Sequence, residues 1–370
     1  MSELVPASPK VTAIFLLYNA ERAVPVLVDA ICLQTHPNFP AQSDWLEVIF
    51  VDDQSRDTTL TVLKQTLDRI GNSPNFRIIT NPQNLGLART LNMAFSLARA
   101  PFALTCHCDC VFGSETYLAD MLALMERHPS AAAIAGHPTL ARGKLPFAEK
   151  LNLISNLMPV LPEETDAELV PVGFVEGRCD LFRVEALRAV GFYDTALRVA
   201  GEDQVLAGKL REKGYATYRA TRLAYILGAS DEQDSLRKLA RHLFRFGKVH
   251  PFIVFRQRKT IEGLLGPSAG WNFQSRTLLR VWQILSTACY AASLAFILAG
   301  ASIGVWILPL VFALGGKVAF FYAHLTHIPM SGTDLLKLFA AQPVLDVAYT
   351  AGVIHGSWLA VRGVPEHPIA

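Results

Sequence analysis

After its first apolar run the chain has no G-x-G-x-x-G fingerprint; LLYNAER stands there instead. Without those glycines no tight turn admits a pyrophosphate to a helix start, so a dinucleotide-dependent oxidoreductase is not expected. None of its six cysteines is spaced C-x-x-C, the usual frame of a structural zinc site. An excess of one charge is also missing. Lys and Arg number 34 against 32 Asp and Glu, a net charge of +2, so no broad basic face and no nucleic-acid partner is expected. There is no internal repeat and no low-complexity tract. No secretory leader is expected either, because MSELVPASPK is polar and the apolar run VTAIFLLY is only eight residues long. The N-terminal part is therefore expected to stay in the cytosol.

Three of the cysteines, Cys106, Cys108 and Cys110, alternate. On a strand, residues two apart share a face but not a disulfide geometry, so reduced thiols are expected, in keeping with a cytosolic compartment. A zinc site built from these thiols and His107 is set aside, since strand alternation sends His107 and the cysteines to opposite faces. The thiols are expected to be small buried residues filling a sheet.

From Val11 to about Ala220, short apolar runs alternate with amphipathic segments. VTAIFLLY, LEVIFVDD, FRIIT and FALTCHCD read as strands; AVPVLVDAICLQ, DTTLTVLKQTLDRI, LARTLNMAFSLAR and ETYLADMLALMERH read as helices. Near-continuous apolar strands alternating with such helices predict an α/β domain with a mainly parallel sheet covered on both faces. Ligands of such sheets sit at the carboxyl ends of the strands, where Asp53 and Asp109 fall. The proline-rich stretch from Gly136 to Val172 reads as irregular, a candidate flexible acceptor-side loop. FVEGRCDLFRVEALRAVGFYD then reads as a strand running into a helix, GEDQVLAGKLREKGY as a helix with an acidic start, and ATYRATRLAYI as a strand.

The character changes beyond that. Arg237, Lys238, Arg241, Arg245, Lys248, Arg256, Arg258 and Lys259 crowd one stretch just before the most apolar part of the chain, as on the cytoplasmic flank of a membrane segment. Leu278–Leu298 and Ile303–Tyr322 each have the length and composition of a membrane-spanning helix. A third stretch, Ala340–Val361, contains Asp346 and His355, and an interfacial or re-entrant helix competes there with a third span. Lys317 is a similar interruption in the second. Three regions are expected: a catalytic domain over 1–230, a basic amphipathic segment over 231–275, and a membrane region over 276–370 with two or three helices.

Acidic and polar residues recur where apolar strands end. VTAIFLLYNAER, followed by EVIFVDDQSRDTT, offers Tyr18, Asn19, Glu21, Asp52 and Asp53 as groups able to grip a base and a ribose, while Asp57 and Thr58 also make a good helix start. The two strings resemble the opening of family 2 glycosyltransferases of the GT-A fold, whose usual forms are close to V-S-V-I-I-P-x-Y-N-E and V-D-D-x-S-x-D-x-T. The family's proline is Leu16 here, and Leu17 stands for a small polar residue. NPQNLGLARTLNMA is similar to the family's N-x-G-x-x-x-A-x-N segment. Its Asn84 and Gly86 precede a helix start that could face phosphate, and they also make a plain turn.

Thr105-Cys106-His107-Cys108-Asp109 stands where that family carries D-x-D. By resemblance its last carboxylate, Asp109, ligates Mg²⁺ or Mn²⁺, which bridges the diphosphate of a sugar nucleotide and improves it as a leaving group. His107 replaces the first Asp, and imidazole is a softer ligand that suits zinc, iron or manganese better than magnesium. GEDQVLAGKLREKGY matches the family's E-D motif. By resemblance Asp203 is the general base that takes the acceptor proton and Glu202 its neighbour, although paired carboxylates at a helix start are also ordinary capping groups. Glu176 is a candidate for lining the acceptor site. Arg245, in HLFRF, stands where processive members carry Q-x-x-R-W and is either a diphosphate contact or part of a basic helix on anionic lipid.

The resemblance implies a membrane-anchored inverting glycosyltransferase using a divalent metal. A UDP-sugar is the expected donor, a lipid-linked or polysaccharide molecule the acceptor, and the inner membrane the site, with the catalytic domain cytosolic. The competing reading is a GT-A-fold membrane subunit of an export or assembly system that has lost activity through His107.

Overall fold

Strands apolar on both faces form the centre of a nine-stranded sheet. β1 (Val11–Leu17), β2 (Leu46–Asp52) and β4 (Phe102–Cys106) are buried almost without break, and β3 (Phe76–Thr80) closes that end. The computed structural model describes residues 8–71, 73, 75–140, 145–160, 165–197, 201–227, 235–256 and 270–362. The chain divides into two units, Met1–Ala141 with Glu163–Arg198 and Glu202–Gly228, and Arg142–Pro162 with Val199–Gly201 and Ala229–Ala370.

In the first unit the strand order is β3-β2-β1-β4-β8-β6-β9-β5, with β7 paired to β9. β3, β2, β1 and β4 are mutually parallel, and each crossover carries a helix, as parallel pairing requires. These are α1 (Val24–Cys32), α2 (Thr59–Arg69) and α3 (Leu87–Leu97). α1 buries Val24, Leu27, Val28 and Ile31, the i, i+3, i+4, i+7 stripe of a helix lying on a sheet. Beyond β4 the sheet becomes mixed. β8 (Cys179–Arg183) lies antiparallel between β4 and β6 (Ala131–Leu140). β9 (Ala216–Leu227) is parallel to β6, and β5 (Cys110–Phe112) and β7 (Leu169–Pro171) are antiparallel to β9. α4 (Tyr117–Arg127), α6 (Val184–Ala189) and α7 (Glu202–Glu212) complete the unit.

Two sequence expectations change. The stretch from Gly136 onward is not simply an irregular loop: Gly136–Leu140 ends strand β6, α5 (Phe147–Ser155) follows, and β7 precedes Val172. AAAIAGHPTL carries no large-residue alternation because a central strand here must be slim. A Cβ on Gly136 would lie 2.0 Å from the Tyr117 hydroxyl. The run FALTCHCD is also not one strand. It ends at Cys106, and His107–Asp109 turn, with the Cys110 N–H donating to the His107 carbonyl at 3.1 Å. Strand alternation therefore cannot place His107 against the cysteines.

The second unit contains α5, α8 (Leu236–Arg256), α9 (Gly270–Leu298), α10 (Ile303–His327) and α11 (Gly332–Val361). Three stretches, Gln274–Leu298, Ile303–His327 and Gly332–Val361, are long and apolar enough to cross a membrane. The first two expose Leu298, Ile303, Leu308, Val311, Phe312 and Tyr322, an apolar belt of the kind that marks a membrane or partner contact. The charges that interrupt these stretches meet each other. Lys317 Nζ contacts Asp346 Oδ1 at 2.5 Å and Gln342 Oε1 at 3.1 Å, and the Tyr290 hydroxyl donates to Asp346 Oδ2 at 2.9 Å. A paired Asp346 removes the main objection to one continuous third helix.

α8 packs closely along α11. A Cβ on Gly247 would lie 2.2 Å from the Tyr349 carbonyl oxygen, on Gly352 2.2 Å from that of Phe244, and on Gly356 2.0 Å from that of Lys248. Only glycine permits this backbone approach. Arg237, Lys238, Arg241 and Arg245 remain exposed on α8, whereas Lys248 is buried. Arg258 and Lys259 lie outside the described residues.

Candidate active site

The parallel strands deliver their carboxyl ends side by side. Leu17 of β1 is opposite Asp52 of β2, and Phe15 is opposite Cys106 of β4. At about 4.8 Å per strand, the β2 and β4 exits stand ~10 Å apart across β1. The loops after β1 and β2 are tied together. The Asn19 side chain accepts from the Arg56 N–H at 2.9 Å, the Ser55 hydroxyl accepts from the Asn19 N–H at 3.0 Å, and Glu21 accepts from the Thr58 N–H at 3.2 Å. Asp57 accepts from the Thr59 N–H at 3.0 Å, so its helix-start role is real although Thr58 makes no capping bond. Tyr18 is exposed beside them. Asp52 is buried, with its two oxygens each 3.3 Å from the Ser55 N–H.

Asp53 is buried and ties the β2 exit to the loop after β3. Its Oδ1 accepts from Asn81 Nδ2 at 2.7 Å and from the Leu85 N–H at 2.8 Å, and its Oδ2 accepts from the Gly86 N–H at 2.9 Å. Through these bonds the carboxylate shapes the β3–α3 loop and fixes the Gly86 N–H. Gly86 has φ of 78°, a backbone conformation that favours glycine. Asn84 completes the clamp through its side-chain amide to the Asp53 carbonyl at 3.2 Å.

The turn after β4 holds His107 and Asp109, both half-buried. Burial lowers the His107 pKa, Asp109 opposes this, and Arg178 adds to it, so the ring is neutral and able to act as a ligand near neutral pH. Behind the turn the Cys106 and Cys179 sulfurs are 3.5 Å apart. The Cys110 pKa is about 12, with the Cys179 hydrogen bond pulling it down and burial and Asp109 pushing it up, and burial raises that of Cys179 well above its ordinary value. The Cys110 and Cys179 thiols are therefore protonated near neutral pH; Cys108 is exposed. Among the described residues no group of three or more His, Cys, Asp or Glu could hold a metal. Asp109, with an imidazole beside it, offers the hard oxygen that a divalent cation needs, and phosphate and water oxygens would have to complete its shell.

Across the unit, Glu202 and Asp203 open α7. Asp203 Oδ1 accepts from the Gln204 N–H at 2.8 Å. Among the described residues Glu202 Oε2 is buried without a hydrogen-bond partner, and burial raises its pKa. Tyr193 links this pair to the β4–β8 region. Burial, then Asp203, Glu202 and Asp180, raise its pKa well above the usual value. A Cβ on Gly177 would be 3.9 Å from both the Tyr193 hydroxyl and the Thr105 hydroxyl. Asp180, opposite Thr105 on β8, is pushed up to about 7 by burial and by Glu176, against the pull of the Gly177 N–H at 2.6 Å.

Sequence reading passed over Arg178, Asp180, Tyr193 and Asn92. Asn92 grips the Tyr193 backbone twice, accepting its N–H and donating to its carbonyl, each at 2.9 Å. The signal was present, because Asn92 is the last residue of the N-x-G-x-x-x-A-x-N match. Arg178 sits two residues after Glu176, with Nε 3.5 Å from Glu176 Oε2. Arg245 lies on α8 in the second unit.

Residues 12–191 match the protein family described as Glycosyl transferase family 2. EpsE of Bacillus subtilis (strain 168), whose name describes a glycosyltransferase, is 27% identical over 279 residues, which is 75% of this chain and 91% of EpsE. Among solved structures, the mannosyltransferase PcManGT from Pyrobaculum calidifontis, in complex with GDP-Man and Mn²⁺, is similar with a TM-score of 0.57 at 17% identity, covering 96% of this chain and 90% of that one. This last likeness is one of fold.

Proposed function

The chain carries a family 2 glycosyltransferase domain of the GT-A fold, and from that premise we propose an inverting transferase. It moves a sugar from a nucleoside diphosphate donor, a UDP-sugar in our reading, to a lipid-linked or polysaccharide acceptor at the cytosolic face of the membrane. What supports this is that the β1, β2 and β4 exits and the Glu202–Asp203 pair belong to one unit. Arg237, Lys238, Arg241 and Arg245 precede the first candidate span, which favours a cytosolic flank.

Asp203 takes the proton of the acceptor hydroxyl as that oxygen bonds to the anomeric carbon. The bond from that carbon to the diphosphate breaks, and its electron pair leaves with the nucleoside diphosphate. Glu202, buried and raised in pKa, keeps the second charge of the pair low. Asp109, with His107 beside it, would hold Mg²⁺ or Mn²⁺, which would offset the diphosphate charge. His107 favours Mn²⁺ of the two. Tyr18, Asn19, Glu21 and Asp52 form the nucleotide side, and Asp53, Asn84 and Gly86 hold its loop in shape. Arg245 has no part in this assignment.

Release of nucleoside diphosphate from a panel of UDP-, GDP- and dTDP-sugars, with and without Mn²⁺, tests the proposal. Asp203→Asn should lower transfer by roughly 10² to 10⁴-fold, the usual worth of a general base, and leave nucleotide binding intact. Unchanged turnover removes Asp203 as the base. Because His107 replaces a carboxylate, a second reading stands beside this one: an inactive membrane subunit. Retained nucleotide binding with no turnover of any donor would favour it.

A further inference from the structure

Arg178 stands directly across the sheet from His107. β4 and β8 are antiparallel and their pairing ends with Cys106 opposite Cys179; just beyond it the His107 N–H donates to the Arg178 carbonyl at 2.8 Å, and the two side chains interact electrostatically. The position where the resemblance puts the first carboxylate of D-x-D is therefore the one that faces a guanidinium. An Asp there would pair with it, but His107 carries no negative charge to do so. The carboxylate that Arg178 does approach, Glu176, is 3.5 Å away, well beyond the ~2.8 Å of a strong charge-assisted bond. The Arg178 side chain is 20% exposed, and its charge is permanent. Burial disfavours that charge, but Glu176, Tyr225 and Asp109 outweigh it. The guanidinium thus lies in the electrostatic neighbourhood of Asp109.

We propose that Arg178 is a second cationic contact for the donor diphosphate, sharing with the divalent metal the charge that gathers on the leaving group. The inference rests on the reading of Asp109 as the cation-holding residue at the diphosphate. A guanidinium fork matches phosphate oxygens geometrically and needs no loading. The replacement of Asp by His107 and the presence of Arg178 then form one device: loss of the carboxylate frees the arginine for an anionic ligand. Diphosphate binding should accordingly persist, though weakened, without metal.

The test is calorimetric binding of UDP and GDP to the full-length protein in detergent, with UMP and GMP as references lacking the second phosphate, in EDTA and in Mn²⁺. In EDTA, Arg178→Gln should weaken the better-bound diphosphate tenfold or more and change its monophosphate less than twofold, with Arg178→Lys in between. His107→Asp should also weaken the diphosphate in EDTA, because the new carboxylate captures Arg178, and should enlarge the gain from Mn²⁺. Should Arg178→Gln fail to fold, His107→Asp decides alone. Wild-type-like diphosphate affinity in both variants overturns the proposal, as does a wild type that binds no diphosphate in EDTA. If Asp109→Asn meanwhile loses the Mn²⁺ gain, the site reading survives and Arg178 is only a structural partner of Glu176. If Asp109→Asn keeps that gain, the site reading fails and this inference falls with it.

Discussion

Glu47 shows how a buried charge is held in the first unit. It is fully buried at the start of β2, accepting from the Thr12 hydroxyl, Arg77, the Arg99 side chain and the Arg99 N–H at 2.7 to 2.9 Å. Burial pushes its pKa up, and these bonds outweigh burial, so the net shift is downward. A depressed carboxyl contributes stability above its unfolded pKa of ~4.3 and loses it as pH falls through the lower folded value. Glu47→Gln should therefore lower stability by about 1–3 kcal/mol at pH 7, with the gap to wild type closing on acidification below pH ~4. Denaturant melts across pH check this. Asp180 has the opposite sign. Raised to about 7, it favours folding below ~3.9 and loses that contribution as pH rises through 7. Asp180→Asn should raise the melting temperature at pH 8 relative to wild type, and the advantage should shrink at pH 5.

At this scale the sequence located residues better than it assigned their tasks. Asp52, Asp53, Asp109, Glu202 and Asp203 all lie at strand exits or a helix start, as their positions after apolar runs implied. That Asp53 turns inward was not legible, because its partners are the side chain of Asn81 and the backbone of Leu85 and Gly86, brought to it by the β2–β3 pairing. Arg178 escaped for the same reason. Its significance comes from being opposite His107, and that requires the β4–β8 register.

Among elements, the three-glycine contact between α8 and α11 is the most exposed to mutation. A methyl at Gly352 or Gly356 would meet backbone carbonyls within 2.2 Å, and neither helix of the contact can yield by a rotamer change. Gly352→Ala should cost at least the ~1–3 kcal/mol of an overpacked core, and Gly352→Ala with Gly356→Ala more than either alone. The thermal stability of purified protein in detergent measures this, with Gly315→Ala as the control, since nothing lies within 4 Å of its Cβ position. Strand and helix assignments through β4 were legible because their periodicities are strong. β6 was not, because its alanines and glycine are chosen for slimness and carry no alternation. β4 was overextended because CHCD continues the apolar-polar rhythm into what is a turn.

For the whole molecule, the apolar belt of the three candidate spans predicts that the protein sediments with membranes and resists extraction by high salt and alkaline carbonate. Detergent should release it. Recovery in the soluble fraction after salt alone would count against the spans and leave only peripheral attachment through α8. The shift of composition beyond residue 230 is legible in the sequence. The detour of one segment was not. α5 lies in the middle of the N-terminal sequence yet belongs to the second unit, where Lys150 pairs with Asp334 at 2.9 Å, the Ser155 hydroxyl accepts from Gln342 at 3.0 Å, and Asn156 accepts from Arg280 at 2.8 Å.

That detour bears on any attempt to obtain the first unit without the candidate spans. A stop codon after residue 230 would leave Leu151, Leu153 and Ile154, all buried in the intact protein, facing water with their covering helices deleted, and the product should precipitate. Replacing 142–162 with a short hydrophilic tether in the same truncation should restore a dispersed, nucleotide-binding fragment, which places the useful cut inside the catalytic half as well as at its end.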